Sequence, residues 1–586
     1  MGAPRGRQGR HRLFARPRTR CARPAPRSGG DPRTGESAVK ATMMDHPLST
    51  QMIFDRGERL FGQSRVVSFD GTATRTRSFA ETAARARHLA GALAALGLPT
   101  GEPVATYCWN SPAHLEAYLA VPAMGAVLHT LNVRLPAEQI RYIMNHAADR
   151  ALLVDAVLLD AVAPVLGECP ALGHVIVIGD APARIEGFAG QIHTYEDLIA
   201  NAAPMRAWPQ LVETDAAAIC YTSGTTGLPK GVAYSHRSVW LHSLASMAAD
   251  TFAISNRDRI LMVPPMFHAN AWGMPYSGWL AGSDLILPGP HLQSAHLARL
   301  IAQERPTLMA AVPTILNDLL QAHAKAPLDL SSFRTIVSGG SAVSASLIER
   351  VKAAWGVDVV QGWGMTETSP MCVLSFPPRE TGPEGETPWR AKAGRPVPGM
   401  HVRIVDDEDR PLPEDGKAMG HLQLRGPWVT GGYLHEAPED TRLTADGWLR
   451  TGDVGRIDAL GFVEVTDRAK DLIKSGGEWI SSADLENAIA ALPGVAEAAV
   501  FAIPDPRWEE RPLAVVVADA GAQVVPAALR AGLRERFARF MIPEYWAHAD
   551  FIPRTSVGKF DKKTLREQFE AGGMTVIVET GFTSGD

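Results

Sequence analysis

Cysteine is scarce in this chain of 586 residues. There are five (Cys21, Cys108, Cys169, Cys220 and Cys372), odd in number, far apart and without metal-ligand spacing. That excludes a disulfide framework and a thiolate zinc site, and it favours a reducing compartment. Long apolar runs are missing too. The best candidate, Ala151 to Leu166, is cut by Asp155 and Asp160 and falls short of the ~20 residues a membrane-spanning helix needs. No internal repeat is evident. Positive charge is in short supply outside the first 40 residues. Ten Arg and one Lys against Asp31 and Glu36 give that segment a net of +9, leaving −14 on the remainder. A body that acidic offers no broad footprint for DNA or RNA, so no nucleic-acid partner is expected.

Residues 1–42 are rich in Arg, Pro and Gly and have few aliphatic residues, so they cannot bury enough surface to fold alone. An organellar transit peptide would need an amphipathic helix that the repeated Pro and Gly break. A basic nucleic-acid-binding arm is open on charge alone. The reading adopted is a disordered leader, with translation starting at Met43 or Met44.

What remains is ordinary globular sequence, 46% hydrophobic and 21% charged over the chain, and too long for one domain. Phe79–Leu96 has Ala83, Ala86, Leu89, Ala90 and Leu93 at helical spacing, with Gly97 where a helix stop belongs. Short strands are predicted at Val104–Tyr107, Ala151–Val154, His174–Ile178, Asp258–Val263, Leu308–Val312, Thr335–Ser338 and Val357–Gln361. Their alternation with helices implies α/β architecture with parallel sheet. Near Val402–Val405 the texture changes to strands and turns, a small β-rich subdomain. Beyond Asp467–Lys470 come strand Asp471–Lys474, helix Ala483–Leu492 with a Ser481/Asp484 capping box, and strand Ala498–Ile503, a mobile α+β domain. The predicted domains are 43–467 and 468–570, with 571–586 a tail.

The most informative stretch is Tyr221-Thr222-Ser223-Gly224-Thr225-Thr226-Gly227-Leu228-Pro229-Lys230-Gly231-Val232, after the apolar strand Ala216–Cys220. Glycines let backbone fold around phosphate oxygens, hydroxyls donate hydrogen bonds and lysine adds charge. The spacing is not that of a GxxxxGK[ST] P-loop.

This loop resembles the first signature of the acyl-adenylate-forming superfamily, which includes acyl-CoA synthetases, firefly luciferase and adenylation domains. Gln361-Gly362-Trp363-Gly364-Met365-Thr366-Glu367-Thr368 resembles the second, which usually has Tyr at the place of Trp363. Leu449-Arg450-Thr451-Gly452-Asp453 resembles the third. Asp467-Arg468-Ala469-Lys470-Asp471, with Ser475-Gly476-Gly477-Glu478, resembles the hinge region, and Pro553 to Lys559 the catalytic-lysine motif.

The resemblance implies two half-reactions with ATP and Mg²⁺: a carboxylate displaces pyrophosphate from ATP, then the CoA thiol displaces AMP. Both build up negative charge that preplaced donors and cations would stabilise. Thr222, Ser223, Gly224, Thr225, Thr226 and Lys230 would hold phosphates, and Glu367 with Thr222 the Mg²⁺, a hard cation wanting oxygen ligands. Asp453 would take the ribose hydroxyls and Arg468 complete those contacts. Gly340, Ser341 and Ala342, with Gln361, Gly362, Trp363, Gly364 and Thr366, would complete the nucleotide site, Lys474 and Trp479 joining it. Lys559 would offset repulsion between the carboxylate and the α-phosphate. Asp467 and Lys470 would flank a pivot that swaps Lys559 for the thiol-tunnel loop Ser475, Gly476 and Gly477.

Pro264 to Gly273 enters the presumed acyl pocket. No acidic residue stands between Met262 and Leu280 to hold an α-ammonium group, which argues against an amino-acid substrate. The lining is apolar and suits a hydrocarbon chain. The run resembles bacterial medium- and long-chain fatty acyl-CoA synthetases, which implies that Trp272 gates the tunnel beside Gly273; His268 either packs against the acyl carboxyl or is a satisfied buried histidine. The expectation is a cytoplasmic, ATP-dependent fatty acid–CoA ligase of lipid metabolism. Peripheral membrane association through the lipid and a homodimer are compatible with it. The alternatives are a ligase for an aromatic or short-chain acid and an acyl-AMP ligase loading a carrier protein.

Overall fold

The computed structural model describes residues 41–222, 228–436, 442–476, 478–519, 521–554 and 560–579. The chain divides into two compact units, 1–46 and 47–586. The first is described only from 41, where residues 41–46 are exposed.

Four sheets build the second unit. The first has seven strands, in the spatial order Gln191–Thr194, His174–Ile178, Ala151–Asp155, Pro103–Tyr107, Val127–Thr130, Ala216–Tyr221 and Gly231–Ser235. All neighbours are parallel except the last pair. The second has nine strands. Its parallel centre runs Val359–Gly364, Thr335–Ser338, Leu308–Ala311, Arg259–Met262, Asp284–Leu287 and Arg65–Phe69. Antiparallel strands flank it, Thr74–Ser78 at one edge and Met371–Leu374 then Arg395–Pro396 at the other. Buried on both faces, central strands such as Ala151–Asp155 and Leu308–Ala311 are short and almost wholly apolar, as parallel sheet requires. The third sheet is a four-stranded antiparallel meander of His401–Val405, Gly420–Arg425, Leu449–Ile457 and Val463–Arg468. The six strands of the last lie within 473–578.

The expected α/β architecture, the β-rich segment after residue 400 and the α+β C-terminal region are all present. Boundaries moved where the cue was weak: the strand predicted at Val357–Gln361 is Val359–Gly364, and that at Asp471–Lys474 is Ile473–Ser475. The segment set apart as a tail supplies strand Val576–Val578, paired antiparallel with Tyr545–His548.

Helix ends follow local chemistry. Helix Phe79–Ala95 begins with a complete capping box, Ser78 with Glu81, and stops before Gly97 at φ 78°. At helix Ser482–Ala490 only the serine half of the expected box forms, Ser481 Oγ accepting from the Asp484 N–H at 3.0 Å. The Asp467 carboxylate supplies the rest, accepting from the N–H groups of Ser482 at 2.8 Å and Ala483 at 3.3 Å and from the Ser482 hydroxyl. The residue expected beside a free pivot thus ties the meander to the first helix beyond it.

Helix Thr50–Leu60 packs against helix Met274–Ala281 at Gly57, where the fully buried Trp279 lies across its backbone. Trp279 stacks on Phe79 at 4.0 Å and donates to the Phe54 carbonyl. A Cβ on Gly57 would come within 2.1 Å of the Trp279 indole nitrogen. Gly→Ala in a helix ordinarily gains roughly 1 kcal/mol of propensity, whereas overpacking a core costs about 1–3 kcal/mol. Gly57→Ala is therefore expected to lower the unfolding free energy by about 1–2 kcal/mol, read by denaturant titration. A gain in stability would show that this contact is loose.

Candidate active site

A cavity of about 800 Å³ opens where the parallel strands of the nine-stranded sheet end. Its wall takes Val263 and Pro264 after one strand, Val312 after the next, Gly339 and Gly340 after the third, and Trp363 to Thr366 around the end of the fourth. Ligands commonly sit beyond the carboxyl ends of such strands. The cavity's lining is of two kinds: a polar group, with Thr222, Lys230, Glu367, Tyr433, Glu436 and Arg468, and an apolar group, with Phe252, Phe267, Trp272, Leu292 and Ile315.

Within the polar group, Lys230 and Thr222 are joined through their backbones, the Thr222 N–H donating to the Lys230 carbonyl at 2.9 Å. The Lys230 ammonium pairs with Glu436 at 2.5 Å and lies 4.9 Å from the centre of the Tyr433 ring. The Tyr433 hydroxyl donates to Glu367 Oε1 at 2.6 Å. Burial and the neighbouring Glu367 carboxylate hold that phenol well above its usual pKa, so it stays a donor. Glu367 is buried, and the Thr366 carbonyl beside it accepts from Tyr234 at 2.6 Å. Tyr433, Glu436 and Arg442 were not anticipated. The sequence signal was an aromatic after Gly431-Gly432, which reads as an ordinary turn. His146, also on the wall, shares a 2.7 Å hydrogen bond with the Tyr221 hydroxyl, and desolvation lowers its pKa.

Asp453 is 3% exposed, and each of its carboxylate oxygens has a donor: the Trp363 indole at 3.1 Å and Arg468 Nε at 2.8 Å. Trp363, at the place where the superfamily usually has Tyr, therefore orients an acid as well as lining the wall. Gln361 departs from expectation. Its amide is buried between the Val343 N–H, which it accepts at 2.5 Å, and the Ala391 carbonyl, to which it donates at 3.0 Å. It holds the end of the Gly339–Ala342 loop rather than facing the cavity. Gly340, Gly362, Gly364 and Thr366 line the wall, while Ser341 and Ala342 are exposed on that loop.

Lys474 and Trp479 do not reach the cavity. They face one another across a hairpin, ammonium 5.6 Å from the ring centre, and Trp479 packs against His421 of the meander. Ser475 is buried and accepts from Arg511 at 3.1 Å; Gly476, at φ 61°, accommodates the Trp508 ring. Lys470 is exposed. Ser223, Gly224, Thr225, Thr226, Gly477 and Lys559 lie outside the described residues.

The apolar wall has unusual backbone. His268 is extended, and the next five residues are left-handed: Ala269 at φ 42°, Asn270 at 50°, Ala271 at 48°, Trp272 at 57° and Gly273 at 75°. Left-handed helix costs roughly 1–2 kcal/mol for each non-glycine residue, so the surroundings must over-determine it. The turn delivers His268 and Trp272 to the cavity and places the indole beside Gly339, where an added Cβ would lie 3.4 Å from the Trp272 ring and 2.9 Å from the Gly362 carbonyl oxygen. Gly273 turns away, its open side filled by His242.

A hydrogen bond to a charged group is worth about 1.5–3 kcal/mol, so freeing one Asp453 oxygen has a measurable cost. Trp363→Phe is expected to weaken AMP binding about tenfold by calorimetry while leaving the melting temperature nearly unchanged. Unaltered affinity would remove Asp453 from the nucleotide site or make its orientation irrelevant.

The solved structure of an anthranilate CoA ligase in complex with anthranoyl-AMP superposes with a TM-score of 0.81 at 26% identity, covering 90% of this chain and 99% of that one. A long-chain-fatty-acid–CoA ligase of Thermus thermophilus is 47% identical, across 91% of this chain and 98% of that protein. A medium-chain-fatty-acid–CoA ligase of Ectopseudomonas oleovorans is 40% identical across 90% and 97%. A 3-methylmercaptopropionyl-CoA ligase of Ruegeria lacuscaerulensis is 41% identical across 90% and 98%. Residues 54–434 match the model of the AMP-binding enzymes, and residues 484–559 that of their C-terminal domain. The motif order, the cavity at the strand ends and these likenesses agree: the chain belongs to the AMP-binding enzyme family.

Proposed function

We infer that the chain is an AMP-forming fatty acid–CoA ligase. One observation carries this reading: a single cavity is lined both by a linked polar cluster suited to phosphates and by apolar side chains suited to a hydrocarbon chain. Its two described acidic residues, Glu367 and Glu436, stand in the polar cluster against Tyr433 and Lys230. Among the described residues, the apolar part of the lining carries no carboxylate that could hold an amino acid's ammonium group. The fatty-acid ligases at 47% and 40% identity support the same substrate class.

A fatty-acid carboxylate oxygen attacks the α-phosphorus of ATP, and the bond to pyrophosphate breaks. The CoA thiolate then attacks the acyl carbon and AMP leaves with the bonding pair. Asp453, oriented by Trp363 and Arg468, holds the ribose; Lys230 and the Thr222 hydroxyl meet the phosphates; His268 stands at the acyl carboxyl. The buried Glu367 carboxylate and the half-buried Thr222 hydroxyl offer the oxygen ligands that fit Mg²⁺, which would neutralise phosphate charge there. The role of Lys559 and the rotation about 467–470 belong to the proposal, as do the thiol tunnel at Ser475–Gly477 and the limits of the domains. The Asp467 contact across that boundary supports 467–470 as the place where orientation is set.

The shorter acid of the 41%-identical relative favours a second reading, a ligase for short acids. A screen of C4–C18 acids for AMP formation decides between them, with turnover expected to peak between C8 and C16. A peak at C4 or with an aromatic acid would contradict the fatty-acid reading. No described helix is long and apolar enough to cross a membrane. We place the enzyme in the cytoplasm, a reading supported by scattered cysteines, of which the four described are unpaired and buried. A homodimer and a substrate-borne membrane contact are further parts of the proposal, open to sedimentation and vesicle co-flotation.

Lys559→Ala is expected to slow pyrophosphate release about 10²–10³-fold, as loss of a preplaced electrostatic donor does. Thioester formation from supplied acyl-AMP should survive. Gly476→Leu should do the reverse, and its retained adenylation shows that the domain is folded. Equal loss of both half-reactions in Lys559→Ala would contradict a rotating domain.

A further inference from the structure

The left-handed turn is held by side chains from the other sheet. Asn270 is 2% exposed, and its Oδ1 accepts from the Tyr118 hydroxyl at 3.2 Å and from the Cys220 thiol at 3.0 Å. The Met266 carbonyl shares that single Tyr118 proton, so one hydroxyl sits between the start and the middle of the segment. Asn110 takes the part nearer the strand. Its amide nitrogen donates to the carbonyls of Met262 at 2.7 Å and Pro264 at 2.9 Å, and its oxygen accepts from the Met266 N–H at 2.7 Å. All three residues belong to the seven-stranded subdomain: Asn110 follows strand Pro103–Tyr107, Tyr118 lies on helix Pro112–Ala123, and Cys220 is on strand Ala216–Tyr221, which runs into Thr222. None lines the cavity.

We propose that Tyr118 and Cys220, acting through Asn270, and Asn110, acting through the backbone of residues 262–266, are positioning residues that set the acyl-side wall and with it the enzyme's discrimination among acids. The proposal rests on the fatty-acid ligase reading above. Asn tolerates left-handed backbone better than any other non-glycine residue of the turn, and here its side chain is also the acceptor that fixes the turn. Trp272 stands two residues on, so a shift at Asn270 moves the indole between the acyl wall and the Gly339 loop. Sites of this kind lose selectivity when supporting bonds let them drift by about 0.5 Å. Cys220 sits two residues before Thr222, so the same acceptor also joins the acyl wall to the strand that enters the phosphate-binding loop.

The test uses the full chain and four variants. Tyr118→Phe keeps the ring and removes the hydroxyl; Cys220→Ala removes one donor and Cys220→Ser restores it; Asn270→Gly keeps left-handed freedom and removes the acceptor. kcat/KM is measured for saturated acids from C6 to C16, with KM for ATP and the melting temperature alongside. The expected result is a change of at least about fivefold in the ratio between the best acid and its neighbours for Tyr118→Phe, Cys220→Ala and Asn270→Gly, a change in the range that pocket geometry controls. KM for ATP stays within twofold, and Cys220→Ser returns the wild-type profile. A uniform loss over all acids, or a wild-type profile in these three variants, would overturn the proposal. Should Tyr118→Phe fail to fold, the Cys220 pair decides alone. Wild-type enzyme inactive on every one of these acids would instead overturn the ligase reading on which the proposal stands.

Discussion

The chain between Met262 and Gly273 leaves a strand, runs through the interior without regular structure and still has backbone groups to satisfy. An unpaired buried N–H or carbonyl costs about as much as a lost hydrogen bond, so partners must come from elsewhere. Asn110 and Tyr118 supply them from across the seam between the two large sheets. That requirement ties the subdomains together, permits the left-handed turn and fixes where the cavity's apolar wall stands. Trp272 and His268 face the cavity because of residues more than 140 positions earlier in the chain.

The polar cluster follows the same logic with charge. A site meant for anions must keep its cations and acids in place before the ligand arrives, or the reaction bears the cost of reorganising them. Lys230 is held by Glu436 and Tyr433, Glu367 by Tyr433, and Asp453 by Trp363 and Arg468. Each functional side chain thus has a neighbour that contributes orientation. Tyr433 serves two of them, its ring facing an ammonium while its hydroxyl meets a carboxylate.

Much of the fold could be read from the sequence, because buried parallel strands announce themselves as short β-branched runs between turns. His174–Ile178 and Thr335–Ser338 begin and end where that pattern does. Spacing within one motif was enough to place Thr222, Lys230 and Glu367 on the wall of one cavity. The site was not legible where contact depends on packing between sheets. Tyr433 lies 66 residues from Glu367, and Tyr118 lies 152 from Asn270; no periodicity links either pair. Gln361 belongs to a nucleotide motif, yet it is occupied by the backbone of the loop it supports. Ala-Asn-Ala-Trp has no glycine and ordinary helical propensity, so a left-handed turn could not be expected there. Lys474 and Trp479 lie near the hinge motif in sequence, but a hairpin turns them toward His421.

The account's central claim is that one cavity takes nucleotide and acyl chain together, with the left-handed turn as the wall between them and the core. A crystal structure with a non-hydrolysable decanoyl-adenylate analogue tests it most directly. The ribose hydroxyls should lie on Asp453, the acyl chain should run along Phe267 and Trp272, and residues 269–273 should keep positive φ. An acyl chain bound outside this cavity, or a turn that becomes right-handed around the ligand, would contradict the account.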